Sequence, residues 1–110
     1  MAFDPYKFEV IDWDEEEDPD GNLQHCLRHG VDERVVAEVL RTRPVEVRMR
    51  LQSAEFAIVG PDEHEMRMWT ILFDVSYKRG DWLRPITGWP SKQSEVNAWT
   101  KATGIAWRRS

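Results

Sequence analysis

His25 and His29 lie four residues apart in the stretch GNLQHCLRHGVDERVVAEVL, residues 21–40. On a helix that spacing turns two imidazoles to the same side, a geometry that can hold zinc. Cys26 stands where a zinc protease would carry its Glu, and neighbouring helical positions diverge by about 100°, so the thiol could join such a site only with distortion. The competing reading gives His25 a packing role or a hydrogen bond to a loop carbonyl. His64, between acids in a turn, is expected to be exposed. A second cluster is acidic: Asp14, Glu15, Glu16, Glu17, Asp18 and Asp20 crowd around Pro19. A calcium loop needs carboxylates alternating about a central Gly with a closing Glu, and this run lacks that order. The segment 12–20 therefore reads as a self-repelling, solvated loop anchored by Trp13. Among the six tryptophans, Trp13, Trp69 and Trp99 fit core positions. Trp82, Trp89 and Trp107 are harder to bury in one small core; near Arg they suit stacking on unpaired bases, a protein interface, or capping the core edge.

The elements that must position these groups follow from periodicity. Asn22 is expected to cap a first helix, Gly30 to close it in the left-handed conformation, and Asp32 to cap a second. Val35, Val36, Val39 and Leu40 form an apolar stripe, so the two helices read as a hairpin covering one face of a sheet. Tyr6 to Ile11 alternates as a short strand, and Val45 to Leu51 alternates strictly with Glu46, Arg48 and Arg50. Gln52 and Ser53 form a connection to a strand from Phe56 to Gly60. Arg67 to Tyr77 reads as a long central strand and Trp82 to Thr87 as the next, with Gly88 and Pro90 ending the sheet. Ser91 is expected to cap a last helix holding Val96 and Trp99, which Gly104 terminates; the tail at 104–110 reads as frayed. Helices segregated from an antiparallel meander make an α+β domain.

With 110 residues, 41% hydrophobic and 32% charged, the chain is expected to form a single domain with one modest core. No stretch approaches the roughly 20 apolar residues of a membrane helix and no signal-like apolar run follows the N-terminus, so a cytoplasmic protein without membrane contact is expected. A lone cysteine, Cys26, reads as a small core residue and agrees with a reducing compartment. The net charge of −5 is unevenly spread. Residues 1–38 carry twelve acids against three bases, whereas residues 39–110 carry eight against twelve. One face could therefore meet a polyanion, although a solvated sheet also collects Arg and Lys on its wet side.

Several short motifs, in order, resemble one known family. Trp13-Asp14, Gly21-Asn22 with His25, Arg28-His29-Gly30-Val31 and Glu38-Val39-Leu40 look like the N-terminal signature of BrnT-like proteins, toxins of bacterial toxin–antitoxin pairs. Ala57 to Gly60, Arg67 to Val75, Leu83-Arg84-Pro85-Ile86-Thr87, and Glu95 four residues before Trp99 continue the likeness, which spans roughly residues 8 to 100. The resemblance implies a RelE-like fold, a small antiparallel sheet with helices packed to one side. It also implies a metal-independent, cofactor-free endoribonuclease in which the RNA 2′-hydroxyl attacks, restrained by a partner antitoxin through which oligomers could form.

Such chemistry needs cations around a pentacoordinate phosphorane and a group passing a proton near neutral pH. On that basis Arg84, His29, Arg67 and Glu95 are the expected catalytic residues, with Arg84 the first choice for a two-pronged phosphate contact. Lys78, Arg79, Tyr77 and Trp89 are the expected RNA-binding residues. The chain departs from the family where basic residues usually follow the segment matching Ile86-Thr87, since Gly88, Trp89 and Pro90 stand there. It departs again in the loop before Asn22, which holds only acids where a Lys is usual. Fewer cations imply weaker phosphate affinity, and the alternative is an inactive module that binds a protein partner or RNA. A DNA-reading role for the helical hairpin finds mainly Arg34 as a phosphate contact.

Overall fold

Gly30 and Asp32 divide the helical region as their chemistry requires. In the computed structural model, which describes residues 10–49, 54–64, 66–78 and 80–107, helix α1 (Asn22–Arg28) ends before Gly30, whose φ is 81°. Helix α2 (Glu33–Arg41) starts from Asp32, whose carboxylate accepts the Val35 N–H at 2.8 Å. Val35, Val36 and Val39 are buried against Cys26, Val31, Ile58, Trp69, Ile71, Phe73 and Leu83, which form the main core. Glu38 is buried with them; it accepts the Glu63 backbone N–H at 2.9 Å and Arg34 Nη1 at 2.6 Å, tying α2 to the turn after Pro61.

Among the described residues the sheet has five strands: β1 (Val10–Ile11), β2 (Val45–Glu46), β3 (Phe56–Pro61), β4 (Met68–Val75) and β5 (Trp82–Pro90), in the order β1-β5-β4-β3-β2. Strands β2 to β5 form the expected antiparallel meander. The expectation of a purely antiparallel sheet is corrected by β1, which runs parallel to β5 through Val10↔Trp82 and Ile11↔Leu83. Alternation reports that a strand exists, not its direction. A parallel pairing needs a long crossover, supplied here by everything between β1 and β5. Among the described residues the domain is α+β with a mixed sheet and three helices.

Helix α3 (Gln93–Thr103) corrects the expectation of helices on one side. Ile58 faces the α1–α2 core, while the next residue, Val59, belongs to a second buried cluster with Met68 and Trp99, against which Val45, Val47, Val96 and Trp107 pack. Successive strand residues point to opposite faces, so α3 covers the face opposite the helical hairpin. The uninterrupted apolar run Ala57-Ile58-Val59, buried throughout, is the physical signature of a strand covered on both faces.

Several boundaries shift for local reasons. Gly88 does not end the sheet; it pairs with Ile71 inside β5. A Cβ there would lie 3.0 Å from both Thr70 O and Val31 Cγ2, so the missing side chain lets the strand pass close to its neighbours. The α3 cap is Lys92 rather than Ser91: Glu95 accepts the Lys92 N–H at 2.8 Å, and Ser91 Oγ sits 2.8 Å from Thr70 Oγ1. Gly104 closes α3 with φ 73°, as its position suggests. Of the expected strand from Val45 to Leu51, the described residues form a strand over Val45–Glu46, with one further bond from Val47 N–H to Ala57 O at 2.9 Å, and Arg50 and Leu51 lie outside them. The readings placed on residues 6–9, Gln52 and Ser53, Arg79, and Arg108 and Arg109 lie outside the described residues. Among the described residues, no helix is long and apolar enough to cross a membrane.

Candidate functional site

The chain continues past β1 with the Asp12 N–H donating to Leu83 O at 2.8 Å. Alternation along this extended stretch turns Asp12 and Asp14 one way and Trp13, packed on the main core, the other. This corrects the reading of residues 12–20 as one solvated loop, because Asp12 is only 3% exposed and Asp14 is half-buried. Glu15 to Asp20 are exposed, as expected.

Both carboxylates are held by cations. Asp14 takes Arg84 through two bonds, Nη1 at 3.0 Å and Nη2 at 2.6 Å. Asp12 accepts Ser76 Oγ at 2.6 Å, Lys78 Nζ at 3.1 Å and Arg84 Nη1 at 3.4 Å. Burial opposes ionisation of Asp12, but the Ser76 and Lys78 hydrogen bonds and the charges of Lys78 and Arg84 outweigh it and hold its carboxyl below the usual range. The Arg84 hydrogen bond does the same for Asp14, against a smaller opposing effect of burial. The partners respond in kind, Arg84 being held protonated chiefly by Asp14 and Lys78 by Asp12.

Asn22 braces the arrangement instead of capping α1. The cap position is Gly21, which has no side chain to offer, and a Cβ there would lie 2.7 Å from Asp14 Cβ. Asn22 Oδ1 accepts the Asp14 N–H at 2.8 Å, while its own backbone N–H donates to Asp14 Oδ2 at 2.8 Å. Its Nδ2 donates to the Asp12 carbonyl at 2.9 Å and the Pro85 carbonyl at 2.8 Å. One buried amide thus joins the chain after β1, helix α1 and strand β5.

Beside this network lies a cleft of about 380 Å³ lined by Asp20, Gly21, Asn22, His25, Arg84, Ile86 and Thr87. The imidazole on its wall is His25. His29 is exposed at the end of α1, its ring centre 5.0 Å from that of His25. Among the described residues, no group of three or more His, Cys, Asp and Glu side chains is placed to hold a metal ion. Cys26 is fully buried, and burial pushes its thiol up to about 11.

Apart from His29, and Arg79 outside the described residues, the expected site residues fall into two groups. Arg84 and Lys78 converge on Asp12, and Tyr77, 82% exposed, lies beside them with its ring centre 5.8 Å from Lys78 Nζ. Arg67, Glu95 and Trp89 lie at the other end of β4 and β5. Arg84 is opposite Asp74, whereas Trp69, next to Arg67 in the fold, is opposite Pro90. The five steps along the strand from Trp69 to Asp74 span about 17 Å. Arg67 is exposed, its guanidinium 5.6 Å from the Trp69 ring centre. Glu95 is buried, and its Oε1 accepts Thr70 Oγ1 at 2.9 Å, Trp89 Nε1 at 2.9 Å and the Lys92 N–H at 2.8 Å. Trp89 is held on its other side by Lys92, 5.9 Å from the ring centre.

Asp12, Asp14, Ser76 and His25 are the members of this site that the sequence reading did not assign to it. A signal for the acids was present in their i, i+2 spacing directly after a short strand. The charge run that follows concealed it. No protein-family model, curated protein or solved structure matches the chain, so what the site can do is argued from its own geometry.

Proposed function

We propose that this chain is a protein-binding module of BrnT-like character, its partner an antitoxin-type protein, and that it does not work as a ribonuclease. The observation that supports this most directly is the pairing of Arg84 with Asp14 and Asp12 and of Lys78 with Asp12. Two cations facing two carboxylates leave little net positive charge, and phosphate affinity grows with the cations free to replace counterions. A phosphoryl group would have to displace Asp14 from a bidentate contact that Asn22 also braces. Glu95 already accepts three hydrogen bonds, and Arg67 lies at the far end of the strand. Tyr77, an aromatic of the kind enriched at protein interfaces, stays accessible beside the ion pairs.

The cleft favours a second reading. Arg84, His25 and Thr87 all line it, and an imidazole and a guanidinium in one cleft are the minimal equipment for 2′-hydroxyl attack on phosphate. On this reading His25, not His29, passes the proton. The two readings part in one assay: total RNA incubated with the purified protein in the presence of a chelator, comparing wild type with His25→Ala and Arg84→Lys. The binding-module reading expects no cleavage above that of either variant. Chelator-resistant cleavage that drops about a hundredfold or more in the Arg84 variant, the scale of a lost oxyanion contact, would overturn it. Affinity purification from the native host is expected to recover a small protein in stoichiometric amount; recovery of nucleic acid alone would count against the proposal.

A further inference from the structure

The edge of the sheet farthest from the ion pairs is strand β2. Val47 donates its N–H to Ala57 O at 2.9 Å, and Val45 is opposite Val59, so the odd-numbered residues bond to β3. In an antiparallel ladder the intervening residues direct N–H and C=O the other way. Glu46 therefore presents its backbone groups outward, and the alternation carries the same direction to Arg48. The side chains alternate as well: Val45 and Val47 pack toward α3, while Glu46 and Arg48 are exposed. Along this edge runs a groove of about 400 Å³, lined by Val45, Glu46, Val47 and Arg48 along the strand and by Ala98, Lys101 and Ala102 of α3. The two alanines leave room beside the strand.

We infer that the β2 edge pairs with the β2 edge of a second copy of this chain, antiparallel about a two-fold axis at Val47. The argument is one of register. Only even-numbered residues offer outward backbone groups, so the axis must relate 46 to 46, 46 to 48, or 48 to 48. The first sets Glu opposite Glu and the last Arg opposite Arg, and like charges directly opposite destabilise a sheet. The middle register sets Glu46 opposite Arg48 of the second copy, twice by symmetry, and those are the pairs that exchange both backbone hydrogen bonds at a Cα separation of about 5.5 Å. It also places Val47 against Val47 of the second copy on the groove side, where the alanine wall can receive it. Pro44, which has no N–H, ends the ladder on one side. An isologous two-fold contact of this kind closes at a dimer, and its short length makes it a concentration-dependent one.

Sedimentation equilibrium over a roughly hundredfold concentration range tests this, because mass action must reveal such a dimer. Wild type is expected to pass from monomer to dimer across the range. Glu46→Arg and Arg48→Glu each create two like-charge pairs and are expected to weaken association at least about tenfold. An equal mixture of the two variants sets Arg opposite Glu at both positions and is expected to recover dimer. Amide hydrogen exchange adds a readout without substitutions, since Glu46 and Arg48 amides should gain protection as wild-type concentration rises. Wild type that stays monomeric throughout, variants that associate like wild type, or a mixture that gains nothing would each overturn the inference. Circular dichroism of both variants checks that these exposed substitutions leave the fold intact.

Discussion

At the scale of single residues, Arg84 is the side chain on which the stability and the function arguments meet. Removing it leaves half-buried Asp14 without its main counter-charge and buried Asp12 with Lys78 alone. Breaking one partner of a buried pair costs about 3–5 kcal/mol; Arg84 retains some exposure, so Arg84→Ala is expected near the lower end in a urea unfolding titration. A cleavage assay on that variant alone would confuse unfolding with lost chemistry, which is why Arg84→Lys is the better probe. The same carboxylates set a pH dependence. Both titrate lower in the folded chain than in the unfolded one, so at pH values between the two the unfolded state binds more protons. Their contribution is present above about pH 4, the ordinary carboxylate range, and is lost as pH falls through the depressed values. Unfolding titrations from about pH 6 down to about pH 3 are expected to show stability falling with pH, more gently in Asp14→Asn, which has no charge to lose.

At the scale of elements, local chemistry was legible where the cause is local. Gly30 and Asp32 placed the junction of α1 and α2 because a left-handed residue and a capping carboxylate act within one turn. Asp32→Ala is expected to cost about 1 kcal/mol, the usual worth of a cap, read as a lowered midpoint in thermal unfolding. Gly88 was misread for the same reason that Gly30 was read correctly. Glycine commonly marks a chain break, yet here it serves contact with Thr70 and Val31, partners invisible to a short window. Gly88→Ala is expected to destabilise by about 1–3 kcal/mol, as overpacking does, while retaining the fold; a neutral result in urea would show that Val31 can give way. Asn22 looked like a cap because its type favours that role, but two carbonyls and the Asp14 backbone compete for its amide and prevail.

At the scale of the whole molecule, what could not be read was direction and distance. The alternation in β2 to β5 fixed a meander, because neighbouring strands joined by short turns must run antiparallel. The parallel β1 pairing and the placement of α3 on the second face depend on contacts between segments distant in sequence. The site failed to assemble as expected for a related reason. Motif order brought Arg84, His29, Arg67 and Glu95 into one list, but a strand of eight residues separates its ends by more than a phosphate contact can bridge. Charge asymmetry was real in the sequence, yet its acidic front folds back onto Lys78 and Arg84, so the two halves partly cancel where they meet.

The bond from Asn22 to the Pro85 carbonyl has a consequence in time. A chain emerging from the ribosome releases β1 and α1 well before β5 exists, and closing so long a loop is a slow, entropically costly step. Until then Asp12 and Asp14 have neither Arg84 nor Lys78, and the acidic front of the nascent chain carries its full negative charge into solvent. Mutual repulsion keeps that segment extended and disfavours premature burial of β1. The final closure couples an early element to a later one, so the ion-pair network forms only once β5 has been synthesised.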